Sequence, residues 1–148
     1  MSAIELSTEQ RHYLTWYRRA VWFGVVMNLW FCLTAWFAPE RILHKMGLDP
    51  TTRNVWLRNV GMLLVNVSLF NAVAALDPTR YPLLSYSVAA ARLIAASFFL
   101  MVSQLGMRSS TERPKAFVPL LIFDFTMAVV CAALLRKGLS AGAGRRLD

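Results

Sequence analysis

Residues 82–105 read PLLSYSVAAARLIAASFFLMVSQL, and residues 116–135 read AFVPLLIFDFTMAVVCAALL. Each run is long enough to cross the ~30 Å hydrocarbon core of a bilayer as a helix rising ~1.5 Å per residue. Each also carries one charge near its middle, Arg92 in the first and Asp124 in the second. A charge at bilayer depth costs roughly 2.5–3.5 kcal/mol on insertion scales, so such residues face inward, pair with one another and mark the polar interior.

Two further runs complete the pattern, at residues 20–38 and 55–76. All four are too long and too continuous for barrel strands, and helices are the other structure that satisfies its own backbone in lipid. The fold class is therefore all-α: a four-transmembrane-helix antiparallel bundle forming one domain over residues 1–148. Short gaps make consecutive helices antiparallel neighbours and put both termini on one side. The third run is rich in Ala and Ser, which suits the central helix because small residues permit close approach. Residues 136–148, with Gly138, Gly142 and Gly144, read as a flexible tail.

The first loop, residues 38–50, is more than a turn. Pro39 suits the start of a short helix and Gly47 its end. Ile42, Leu43 and Met46 share one face, as expected of a short interfacial helix after the first span. Trp16 and Trp36 bracket the first span about 30 Å apart, the separation of two interfacial aromatic belts. Asp77-Pro78 starts a tight turn in the second loop, and Pro82 opens the next helix.

Composition excludes several function classes. The chain is 57% hydrophobic and 16% charged, too few charges to cover a soluble fold of 148 residues. The net charge of +8 lies in the gaps between spans rather than on one amphipathic face, which fits lipid headgroups and not nucleic acid. Eight Lys or Arg fall on the side of the termini and six in the first and third loops, with Arg58 just inside on the latter side. The positive-inside rule then leans toward cytoplasmic termini in a bacterial cytoplasmic membrane. Cys32 and Cys131 lack metal-site spacing and read as buried thiols. His12 and His44 lie outside the spans, so a bis-histidine haem is not expected. Neither a metal nor a cofactor is expected, no catalytic constellation is visible, and the chain reads more as a non-enzyme than as an enzyme.

The candidate polar core is Arg58, Asn59, Asn66, Arg92 and Asp124. Asn59 and Asn66 are seven residues apart and share a face of the second span. Measured down from the third loop, Asp124 lies between Arg58 and Arg92 in depth, and Arg92 is expected to pair with it while Arg58 snorkels.

The stretch LRNVGMLLVNVSLFNAVAALDPTRYP (57–82) followed by AARLIAASFFL (90–100) resembles the DoxX-like group of small four-helix membrane proteins. The resemblance rests on Arg58 and Gly61 opening the second span, Arg92 inside the third, and Pro39, Gly47 and Leu48 before them. It implies the four-helix fold and, as in part of that group, a quinone-linked redox subunit. The leading expectation is an accessory or interaction subunit, possible partners being a membrane protein or a second copy of the chain. The alternatives are a binder of a quinone or lipid, with Arg92, Asp124 and Asn66 lining its pocket, and a membrane isomerase using Asp124 as acid–base group.

Overall fold

Ser7 starts the first helix. Its hydroxyl accepts from the Gln10 backbone N–H at 3.2 Å, and its own N–H donates to Gln10 Oε1 at 2.8 Å. This reciprocal cap satisfies two otherwise orphaned donors. The computed structural model describes residues 6–45, 55–109 and 117–140, and every element there is a helix or a turn. The helices are α1 (Thr8–Phe37), α2 (Pro39–Lys45), α3 (Val55–Leu76), α4 (Pro82–Ser109) and α5 (Phe117–Ser140). Of these, α1, α3, α4 and α5 are long and apolar enough to span a membrane.

Three ends run further than the hydrophobic runs alone indicate, among them that of α4, which continues to Ser109 rather than stopping at 105; the other two are paired. Helix α1 begins at Thr8 rather than near residue 20, and α5 continues to Ser140 rather than stopping at 135. The two extensions hold each other. Gln10, Leu14, Tyr17 and Val21 form a buried stripe on α1, and Gly138 of α5 lies against Leu14. The first five residues of the expected tail are thus helical, for packing reasons that hydropathy does not register. Residues 141–148 and the Gly47 stop expected for α2 lie outside the described residues.

The packing order is α3–α1–α5–α4. Helix α4 packs mainly on α5, and α1 packs on both α3 and α5, whereas the directly connected α3 and α4 barely touch. Helices α1 and α5 are therefore the inner pair, and the Ala/Ser-rich α4 lies at one end of the order. Tyr17 is the wedge: fully buried, it sits among Ala74 and Ala75 of α3 and Val88 and Ala89 of α4. Its hydroxyl donates to the Ser85 carbonyl at 3.1 Å. Next to the turn the two helices do meet, where Ser85 Oγ donates to the Ala74 carbonyl at 3.4 Å. The turn itself is closed by Asp77, whose carboxylate accepts from Thr79 Oγ1 at 2.6 Å and from the Arg80 N–H at 3.0 Å. The Thr79 hydroxyl, then the Arg80 N–H, holds the Asp77 carboxyl below its ordinary range.

Glycine and alanine line much of the interior, and many large apolar side chains face outward. Gly24, Gly61, Ala35, Ala74, Ala89, Ala96 and Ala128 are buried, while Trp30, Phe37, Leu83 and Ile94 are exposed. That is the arrangement of a bundle in lipid, where helices associate through close van der Waals contact rather than by hiding from water. Cation–π pairs, Arg19 over Trp16 at 5.0 Å and Lys137 over Tyr13 at 5.3 Å, mark the interface at the terminal end. At the opposite end Ile42 and Leu43 of α2 pack on Ala35 and Leu57, leaving Glu40, Arg41, His44 and Lys45 exposed.

Gly61 sets the α1–α3 distance. Cys32 Sγ donates to its carbonyl at 3.1 Å, and a Cβ placed there would lie 2.9 Å from Trp36 Nε1. Gly61→Leu is expected to force the helices apart at an overpacking cost of about 1–3 kcal/mol. Thermal unfolding in mild detergent measures this, and an unchanged midpoint would contradict the crossing.

Candidate functional site

Arg92 comes from α4 and Asp124 from α5. Arg92 Nη1 lies 2.7 Å from Asp124 Oδ1, a charge-assisted hydrogen bond between side chains that are 7% and 16% exposed. The guanidinium also stands over the Phe123 ring, 5.7 Å from its centroid. Phe123 in turn meets Phe23 of α1 edge-on at 6.1 Å. The third side is the backbone of α1 at Gly24, where an added Cβ would collide with Arg92 Nη2. Three helices therefore close around one guanidinium, and a glycine makes the approach possible. Arg92 Nε is buried with no hydrogen-bond partner among the described residues.

The pair lies between the two apolar clusters of the bundle. One, around Tyr17, Val88 and Leu135, occupies the terminal end; the other, around Ala35, Leu43 and Leu57, occupies the opposite end. It ties α4 to α5 and fixes their register against α1. Breaking such a pair strands a charge, whereas replacing both members with apolar groups is often neutral or better.

The other expected site residues do not join it. Arg58 is exposed and forms no ion pair among the described residues. Its carbonyl accepts from Trp36 Nε1 at 3.3 Å. Asn59 and Asn66 do share a face, but that face points outward and both are exposed. The buried polar groups of α3 are instead Ser68 and Asn71. Gly61, Ser68 and Ala75, also seven residues apart, form the small-residue ridge that is buried in the bundle. Close packing selects that ridge for the inside and turns the asparagines out.

Gly24 and Phe123 are the site residues that sequence reasoning passed over. A glycine at mid-depth in an otherwise bulky first span was the available signal, because glycine in a membrane helix marks close approach. Phe123 gave none, being one aromatic among many.

A shallow cleft of about 270 Å³ lies at the terminal end, lined by Glu9, Gln10, Tyr13, Lys137 and Ser140. Among the described residues no three His, Cys, Asp or Glu side chains cluster as a metal site would require.

The fold and the pair define the class: a small integral membrane protein whose helical bundle is fastened by a buried arginine–aspartate pair. No family model, curated protein or solved structure matches the chain.

Proposed function

We propose that the protein is an accessory or interaction subunit of the bacterial cytoplasmic membrane, with cytoplasmic termini, related to the DoxX-like group and serving a membrane redox enzyme. The supporting observation is Asn66. It lies midway along α3, about 15 Å from either end, and its side chain is exposed. Neither it nor Asn59 has a hydrogen-bond partner among the described residues. A carboxamide in hydrocarbon gains by bonding to a neighbouring helix, about 0.6–2 kcal/mol per contact. The face thus carries the marks of a docking surface for another membrane helix.

The readings as a quinone or lipid binder, or as an isomerase using Asp124, draw on Arg92 and Asp124. There one guanidinium nitrogen is already held by Asp124, the group stands over Phe123, and the Gly24 backbone leaves little room beside it. That suits a fastener better than a ligand pocket or an acid–base group.

Purification in mild detergent tests the proposal. The wild-type chain is expected to retain a membrane partner that Asn59→Leu with Asn66→Leu loses by about tenfold or more, the equivalent of about 1.4 kcal/mol. Both side chains point out of the bundle, so the variant's thermal unfolding should match wild type. A wild-type chain that purifies alone, or a partner retained equally by the variant, would end the subunit reading.

A further inference from the structure

The docking face of α3 carries a seam that suits a helix pair, granted that the face is a docking surface as proposed above. Asn59, Met62, Asn66, Leu69, Val73 and Leu76 follow one another at alternating steps of three and four residues. That is the a/d spacing of a left-handed helix pair, with both asparagines and Val73 at a and Met62, Leu69 and Leu76 at d. Every member is exposed, the four apolar ones from Val73 at 43% to Leu76 at 67%. The seam runs for about 26 Å, nearly the full hydrocarbon thickness. Among the described residues, no other helix covers it.

We infer that this seam is the interface of a parallel homodimer, α3 against α3, with Asn59 and Asn66 each hydrogen-bonded to the same residue of the second copy. Two considerations select the chain itself as the partner. Copies inserted with one topology are related by a two-fold axis along the membrane normal, so α3 lies parallel to its mate and each residue meets its own counterpart at equal depth. A carboxamide is both donor and acceptor, so asparagine pairs with asparagine without any second residue type. Asparagine at an a position is the device that sets register and a two-stranded state in parallel pairs. A different protein would have to bring two matching polar groups seven residues apart at the same depths. Self-pairing meets that demand by symmetry. Arg58, at the g position beside Asn59 near the end of α3, can extend its charge to the headgroups instead of confronting its mate.

Disulfide trapping in native membranes decides the matter. In a chain carrying Cys32→Ala and Cys131→Ala, single cysteines are placed in the seam by Met62→Cys or Leu69→Cys. Controls on other exposed faces are Ile94→Cys on α4 and Val129→Cys on α5. Mild oxidation is expected to give a dimer band at the two seam positions and little at the controls. Adding Asn59→Leu and Asn66→Leu to Leu69→Cys should lower the dimer fraction about tenfold, while thermal unfolding of the bundle stays unchanged. Seam positions that cross-link no better than the controls would overturn the homodimer. If, in that case, a different membrane protein still copurifies through Asn59 and Asn66, the subunit reading stands without it. Seam cross-links from a chain that otherwise purifies alone would keep the homodimer and discard the subunit reading.

Discussion

Asp124→Leu is expected to destabilise the bundle by about 3–5 kcal/mol, because it leaves the Arg92 guanidinium buried and unpaired. The insertion cost of a lone arginine at the helix centre, roughly 2.5–3.5 kcal/mol, gives a similar figure from a separate route. Arg92→Leu should be costly for the mirror-image reason. The double variant Arg92→Leu with Asp124→Leu should recover most of the loss, since no charge then remains in the core. The exchange Arg92→Asp with Asp124→Arg should recover less. An arginine at position 124 no longer has the Gly24 backbone and the Phe123 face placed to receive it. Unfolding midpoints in a graded detergent mixture measure all four. A double-leucine variant as unstable as the single ones would mean that the pair does more than neutralise itself, and would return weight to a ligand or proton role.

Gly24→Ala should be destabilising only while Arg92 is present. The added methyl falls on Arg92 Nη2. The guanidinium can move away, but only by loosening its 2.7 Å contact with Asp124 and its place over Phe123. A cost of about 1–3 kcal/mol is the usual range for overpacking a closed contact. In the background lacking both charges, the same methyl has no guanidinium to meet. There it should be neutral or stabilising, since alanine is the better helix former by up to about 1 kcal/mol. A double-mutant cycle isolates the coupling, expected at about 0.5–3 kcal/mol for residues in direct contact. Additive effects would show that Gly24 serves helix crossing alone.

Of the candidate site, the sequence exposed the charged pair and concealed its setting. Arg92 and Asp124 stand out because charge in an apolar run is costly wherever the helices pack. Depth counting placed both arginines within reach of Asp124, and only the packing shows that Arg92 takes it. Asn59 and Asn66 show the limit most clearly. Their spacing establishes a shared face, but a helix in lipid has no polar solvent to say which face is outside. Apolar residues are at home on both sides, so hydropathy falls silent on rotation. The deciding feature is size: the Gly61, Ser68 and Ala75 ridge can approach α1 closely, and a ridge bearing asparagine and methionine cannot.

Four spans, an all-helical bundle, a membrane setting and a short helix starting at Pro39 are all legible in the chain alone. Each depends on local quantities, namely run length, hydropathy, proline and caps, that bilayer thickness converts directly into structure. The neighbours of each helix are a different matter. Short loops argued for sequential contact, which α1 makes with α3 and α4 with α5; yet α3 and α4 meet mainly beside their turn, where Tyr17 wedges in, and α1 and α5 become the inner pair. The inward aim of Arg92 toward Gly24, the outward turn of Asn66, and the helical extension of α5 to Ser140 were likewise decided in three dimensions. The reason is common to all of them. Inside a bilayer, association is governed by the fit of small residues between distant segments, and that fit is a property of pairs of helices and not of any one stretch of sequence.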